Sequence, residues 1–461
     1  MGELAARNGG TAGLVALALV ILVGLGLRIG WAVDQPSPPP PDALAYERIA
    51  AGLYEDGSFD ARPPGVEREI QPSSAYAPGL PLLVSGLYFL SGGVHLDFAL
   101  IVLALLGAIA VPLTYLLGRR MAGPLAGLLG AGAIAIYPAL LQYQGVLLTE
   151  PLAATLLVAA LLAFINAACP PLSGRAKEPD MDGPSLPRPG MPSWALAGVL
   201  FGLLALVRPE YLTIAFLLPL AWVAREAWRG RLRSAVVPLL VTLLGTALVL
   251  APWAIRNAIV LDRAVPVSTG GGKALYIGTH VDADGDGPKL RELLLDRRPA
   301  LRARFERDGP VDDPQRLVLE RVLAKVAAES HPGLEADAAL GRLGRQNLSD
   351  DITQEPLAFA EMLIDKAYAT WTDTPRAVMG RQPWRALQLA IVILALAGLV
   401  ALALRRRFEA VPAAIVLAYM TMVGALLISS PRRELVVLPL LAALAGVGAT
   451  WAADSLARWR R

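Results

Sequence analysis

Two residues near the N-terminus have types and spacing suited to chemistry. Asp42 opens an amphipathic stretch that runs on through Ile49, Ala50 and Leu53, and Tyr46 follows it by four residues. On a helix that spacing sets a carboxylate and a phenol on one face, aimed at one cleft. A carboxylate at a helix start can cap free backbone N–H groups or act as a base at a surface. Other charged residues stand where apolar runs begin and end. Glu150 precedes Pro151, Arg208 and Glu210 flank Pro209, Arg256 lies just beyond a run, and Lys273 follows the glycines 270–272. Each has a plainer role as well: helix-start carboxylate, structural ion pair or headgroup anchor. Arg28 lies inside the first apolar run, near its end, where snorkelling accounts for it. Asp282-Ala283-Asp284-Gly285-Asp286-Gly287 resembles the start of a calcium loop, but position twelve is Leu293, so an acidic turn is expected. His95, His280 and His331 lack metal-ligand spacing. No metal ligand is assigned from these residues.

The elements that carry these side chains must be membrane helices. The chain has 461 residues, 55% of them hydrophobic, and its apolar residues fall in separated runs long enough to span a bilayer. Ten such runs are visible, at 11–33, 98–117, 122–137, 151–168, 194–207, 211–223, 236–253, 386–404, 410–428 and 435–451. An eleventh, 79–90, is short, carries Pro81 and is expected to lie at the interface or re-enter. If it does not cross, Arg119 and Arg120, the 175–188 linker, Arg225 to Arg233, Arg405 to Arg407 and the C-terminal arginines share one side. That side reads as the cytoplasm. A net charge of +3, with arginines beside the spans, gives no basis for a nucleic-acid partner. The single cysteine, Cys169, excludes an intramolecular disulfide. Arginine-rich, lysine-poor composition suggests a bacterial source.

The expected fold is therefore an all-α polytopic membrane protein. It divides into a first transmembrane helix (1–33), a first external loop with interfacial or re-entrant helices and the acid (34–96), a transmembrane bundle (97–255), an external α-rich loop domain (256–385) and C-terminal transmembrane helices (386–461). Within the large loop, Leu317, Leu319, Val322, Leu323 and Val326 share a helical face, and 356–371 has the same period. The Pro-, Gly- and charge-rich stretch 169–193 reads as a mobile linker.

The order of motifs resembles the GT-C membrane glycosyltransferases related to protein O-mannosyltransferases and aminoarabinose transferases (families 39 and 83). Asp42 and Tyr46, then Tyr76-Ala77-Pro78-Gly79-Leu80-Pro81-Leu82, look like the first external loop of that group. Leu148-Thr149-Glu150-Pro151, Leu206-Val207-Arg208-Pro209-Glu210, Pro252-Trp253-Ala254-Ile255-Arg256-Asn257 and Val265 to Gly272 with Tyr276-Ile277-Gly278 follow in matching order. So does Pro356-Leu357-Ala358-Phe359, leading to Lys366 and Trp371. Ala77 and Thr279-His280 depart from the pattern. The resemblance implies a GT-C-like bundle of about ten helices and transfer of a sugar, with inversion, from a polyprenyl-phosphate donor to a hydroxyl on protein, glycan or lipid outside the cytoplasm. It implies a place in the cell envelope, with Asp42 as base and Tyr46, Tyr76, Glu150, Arg208, Arg256 and Lys273 as substrate-binding residues, Arg256 and Lys273 toward the phosphate. It leaves a divalent metal open. The span count alone is also compatible with a transporter or lipid flippase, or with a subunit that keeps the fold without the activity.

Overall fold

The computed structural model describes residues 2–35, 39–60, 74–169, 190–307, 314–373, 382–428 and 432–460. Most of the linker expected at 169–193, with Arg175, Lys177 and Arg188, lies outside the described residues. The described residues form helices and no strand. Toward the N-terminus these are α1 (Gly2–Asp34), α2 (Pro41–Glu55), α3 (Gly79–Ser91), α4 (Leu96–Ala108), α5 (Ala110–Ala122), α6 (Pro124–Ile136) and α7 (Pro138–Gln142). The bundle continues with α8 (Glu150–Ala168), α9 (Met191–Val207), α10 (Leu212–Trp228) and α11 (Leu232–Leu261). Six shorter helices follow: α12 (Gly271–Gly278), α13 (Gly287–Asp296), α14 (Pro299–Arg307), α15 (Pro314–Ser330), α16 (Ala336–Gln354) and α17 (Pro356–Thr372). The chain closes with α18 (Gln382–Leu404), α19 (Ala410–Leu426) and α20 (Glu434–Trp459).

All ten expected spans are helical. Among the described residues, six helical stretches, α4 with α5 counted as one, are long and apolar enough to cross a membrane, and the bent pair of α6 with the turn after Pro138 makes a seventh. The other three, α9, α10 and α19, have 17 residues each, about 25 Å at 1.5 Å per residue. They are short of a ~30 Å hydrocarbon core. The protein is a multi-pass membrane protein of all-α architecture.

The two ends of the bundle differ in character. At one end the arginine clusters meet around buried acids. Glu226 receives Arg225 at 3.1 Å, Arg229 at 3.5 Å and Arg231 at 2.8 Å, and Glu409 receives Arg407 at 3.0 Å and Arg120 at 3.7 Å. Arg120 also donates to the Cys169 carbonyl, and Arg225 stacks on Trp222 and Phe408. The other end carries the α12–α17 unit and the site. Both ends of α3 belong there. A Cβ on Gly79 would come 2.8 Å from the Leu206 backbone, beside Arg208, while Asp97, just after α3, accepts from Gln35 Nε2 at 2.7 Å. The helix has 13 residues, about 20 Å at 1.5 Å per residue, well short of a ~30 Å hydrocarbon core.

Arg28 does not snorkel. Its side chain is 1% exposed and turns into the bundle, donating to the carbonyls of Ile134 (3.0 Å), Ala135 (3.3 Å) and Gly24 (3.0 Å). The physical reason is Pro138. The Ile134 carbonyl would ordinarily accept from the N–H four residues on, and proline has none. The chain bends 49° at this break, and Arg28 supplies the missing donor.

The α12–α17 unit has its own apolar core, with Tyr276, Ile277, Leu290, Leu294, Val322, Leu323 and Leu340 among its buried residues. The aspartates of the acidic turn are used within the protein: Asp284 pairs with Lys289, Asp282 with Arg297, and Asp286 caps α13. Lys366 on α17 is 4% exposed and donates to the Gly278 carbonyl at 2.7 Å. Burial first, and Arg433 second, hold its ammonium down to about 7. An unfolded lysine titrates near 10.4, so between these values the unfolded chain binds the extra proton and stability rises with pH. The unfolding free energy should climb from about pH 7 to pH 9, by about 1.4 kcal/mol per pH unit at most, and the unfolding midpoint with it. Lys366→Met should flatten that rise, and a parent midpoint that falls over the interval would exclude the linkage.

Candidate active site

The site is built by helix ends that face one another across the mouth of the bundle. Asp42 lies in the first turn of α2, behind Pro40 and Pro41, which start the helix without a side-chain cap. Its carboxylate Oδ2 accepts from Arg432 Nη2 at 2.7 Å. Tyr46, one turn on, sets its ring edge-on to Tyr76 with centroids 5.4 Å apart. Glu150 begins α8 and is 2% exposed. Arg208, held between the end of α9 and Pro209, meets Glu150 at 2.8 Å and Glu210 at 3.1 Å. Arg432 approaches Glu150 through Nε at 3.8 Å. Tyr419 of α19 donates to the Glu210 carbonyl at 2.5 Å. A chain of alternating charge thus runs Asp42, Arg432, Glu150, Arg208, Glu210.

Environment fixes the roles these groups can take. Burial, then the Asp42 charge, raises the Tyr46 hydroxyl well above its ordinary range, so it stays a hydrogen-bond donor. For Arg432, burial works against the charge, but Glu150 and Asp42 outweigh it and hold the proton more tightly than usual. Burial also opposes the Glu210 charge, and Arg208, a backbone hydrogen bond and Arg433 together more than reverse that, keeping the carboxylate below its usual value. Deeper in, Glu434 at the start of α20 is 0% exposed and both its carboxyl oxygens lack a hydrogen-bond partner.

Five of the seven residues singled out from the sequence come together here: Asp42, Tyr46, Tyr76, Glu150 and Arg208. Arg256 and Lys273 have other neighbours. Arg256 stacks over Trp253 (4.8 Å) and Phe59 (5.7 Å), in the apolar group that also takes Ile49 of α2 and reaches Tyr76. Lys273 pairs with Glu320 of α15 at 3.2 Å, and its backbone N–H goes to Asp337. Arg432 is the site residue that sequence reasoning misses. A signal exists all the same, since Arg432 and Arg433 form an arginine pair in the short turn between the last two apolar runs.

Comparison with known proteins bears on the fold. Residues 46–170 match the N-terminal family of oligosaccharyl transferase STT3. A search of curated protein sequences gives no match. Among solved structures, the Archaeoglobus fulgidus oligosaccharyltransferase AglB, in complex with an inhibitory peptide and a dolichol-phosphate, is 18% identical with a TM-score of 0.52. The alignment covers 97% of this chain and 51% of that one. The same enzyme tethered to an acceptor peptide gives a TM-score of 0.55 at 17% identity, covering 97% and 50%; another of its structures holds Zn and sulfate. ArnT from Cupriavidus metallidurans, bound to undecaprenyl phosphate, is 14% identical with a TM-score of 0.40, covering 95% and 77%. The chain spans about half the length of the oligosaccharyltransferase structures it matches, and over that half it has the fold of the GT-C membrane glycosyltransferases.

Proposed function

We propose that this protein is an inverting glycosyltransferase that moves a sugar from a polyprenyl-phosphate donor to an acceptor hydroxyl. The observation that carries the reading is the meeting of Asp42, Glu150, Arg208 and Arg432 where the spans of a GT-C-fold bundle end. A polyprenyl carrier keeps its tail in the bilayer, so its phosphate presents itself at that level. The Asp42 carboxylate takes the acceptor's O–H proton. The acceptor oxygen bonds to the anomeric carbon, and the bond from that carbon to the phosphate oxygen breaks with its electron pair on the phosphate. That leaving group is already a stable anion, so the work is deprotonation and charge neutralisation. Arg432 engages the carboxylates through Nη2 and Nε, which leaves its Nη1 edge for a phosphate oxygen. Tyr46 and Tyr76 offer an aromatic wall beside the base for the sugar, and Arg256 is a second cation along the donor's path. The dolichol-phosphate and peptide seen with the archaeal enzyme are consistent with a lipid-linked donor at such a site.

Sidedness follows from charge. The arginine-rich end is taken as cytoplasmic by the positive-inside tendency, so the site opens outside the plasma membrane of a bacterium, with 256–385 as its external domain. The acceptor is a protein, glycan or lipid hydroxyl. The test is to incubate purified protein with a panel of labelled polyprenyl-phosphate sugars and follow loss of the lipid-linked label. Consumption of one donor, faster with a hydroxyl acceptor than with water alone, is the expected result; no consumption across the panel would remove the assignment.

A further inference from the structure

A divalent cation held between carboxylates is a common means of neutralising a phosphate. The residues here do not fit one. Arg432 lies 2.7 Å from Asp42 Oδ2 and 3.8 Å from Glu150 Oε1, so a positive charge already bridges the two carboxylates. Glu150 Oε1 is further engaged by Arg208 at 2.8 Å, and a second guanidinium there would repel an incoming dication. Calcium takes about six to eight oxygen ligands, magnesium about six of which one or two are carboxylates and the rest waters or phosphate oxygens, and zinc about four ligands of N, O or S. Among the described residues, no group of three or more Asp, Glu, His or Cys side chains is placed as a cage for calcium or zinc, and the two carboxylates that magnesium would use already share Arg432.

We infer that Arg432 is the resident cation of this site, its guanidinium filling the position from which a divalent ion would bridge Asp42 and Glu150. A guanidinium cannot be deprotonated in a protein and cannot be removed by a chelator. Its charge is therefore fixed at the start of α20, whatever the metal content of the surroundings. It also offers N–H donors of set direction, so the bridge between carboxylates and phosphate is a set of hydrogen bonds and not a coordination shell. The exclusion of metal is a property of these residues; only the further statement, that transfer is insensitive to chelators, rests on the proposed function.

The experiment titrates purified protein in detergent with Mn²⁺ and reads the free ion by electron paramagnetic resonance. The parent should show no binding up to about 1 mM that Asp42→Asn removes, a range that covers weak oxygen-ligand sites. Arg432→Ala should gain affinity on the order of tenfold or more, because it uncovers the carboxylates and lifts the repulsion, and adding Asp42→Asn should erase the gain. Arg432→Gln is measured beside it, so that a fold defect in the alanine variant does not decide the matter, and Arg432→Lys should stay without Mn²⁺. Asp42-dependent binding in the parent would overturn the inference. So would the absence of any gain in a folded Arg432→Ala or Arg432→Gln, since something else would then keep the ion out. Where the panel yields a donor, EDTA should leave transfer unchanged within about twofold, and abolition by EDTA would contradict the inference. If no donor is consumed, the binding readout still stands while the proposed function falls.

Discussion

Asp42→Asn should leave the protein folded and able to hold a lipid-linked donor while cutting transfer by on the order of 10² to 10⁴. The substitution keeps size and removes proton-accepting ability. It also keeps much of the ability of a first-turn side chain to bond the free N–H groups at the start of α2, so the rate reads the catalytic role. A lost cap would cost about 1 kcal/mol of stability, which the folding readout registers apart from the rate. What the amide gives up besides basicity is the charge facing Arg432, and Arg432 keeps Glu150 within 3.8 Å. The measurement is donor turnover beside donor binding on the same preparation. Transfer near the parent rate would take Asp42 out of the mechanism.

The second large effect is on stability. Arg208→Ala should lower the unfolding free energy by about 3–5 kcal/mol, the usual cost of stripping one partner from a buried ion pair. The Glu150 side chain is 3% exposed and its Oε2 has no hydrogen-bond partner, so it depends on Arg208 at 2.8 Å. Arg432, at 3.8 Å, is too distant to hydrogen-bond it directly. Arg208→Ala/Glu150→Ala should recover part of the loss by removing the stranded charge. Thermal unfolding in detergent of the parent, each single variant and the double variant gives the coupling directly. A fully additive double variant would mean that the two side chains do not support one another.

Much of this site could be read from residue type and position. Asp42 and Tyr46 declared a shared face by their spacing, and Glu150 and Arg208 stand beside prolines at the ends of apolar runs, where charge needs a reason. Arg432 was hidden because its partner lies 390 residues away, and no local pattern encodes a pairing of that separation. The clue was topological: an arginine pair in a short turn between two spans, at the end opposite the span-flanking clusters at Arg120, Arg225 and Arg407, runs against the tendency that sorts short loops. Arg256 and Lys273 show the converse limit. A position beyond a span or after a glycine turn gives the level of a side chain, not its direction, and packing on Trp253 or pairing with Glu320 then decides. Among the helices, the ten apolar runs and the periodic segments around 313–328 and 356–371 were legible from period alone. The break before Pro138 and the inward turn of Arg28 were not, because each depends on the other.

That dependence has an evolutionary corollary. Arg28 and Pro138 are a lock and its key within the first half of the bundle: the proline withholds a donor from the Ile134 carbonyl, and the arginine returns it from another helix. Neither is useful alone. An arginine in the first span of a relative without the proline would be a buried charge with a smaller set of acceptors, and a proline without the arginine would strand a carbonyl in a setting with no water to meet it. The two positions should therefore be gained and lost together as a pair during divergence, although 110 residues of chain separate them.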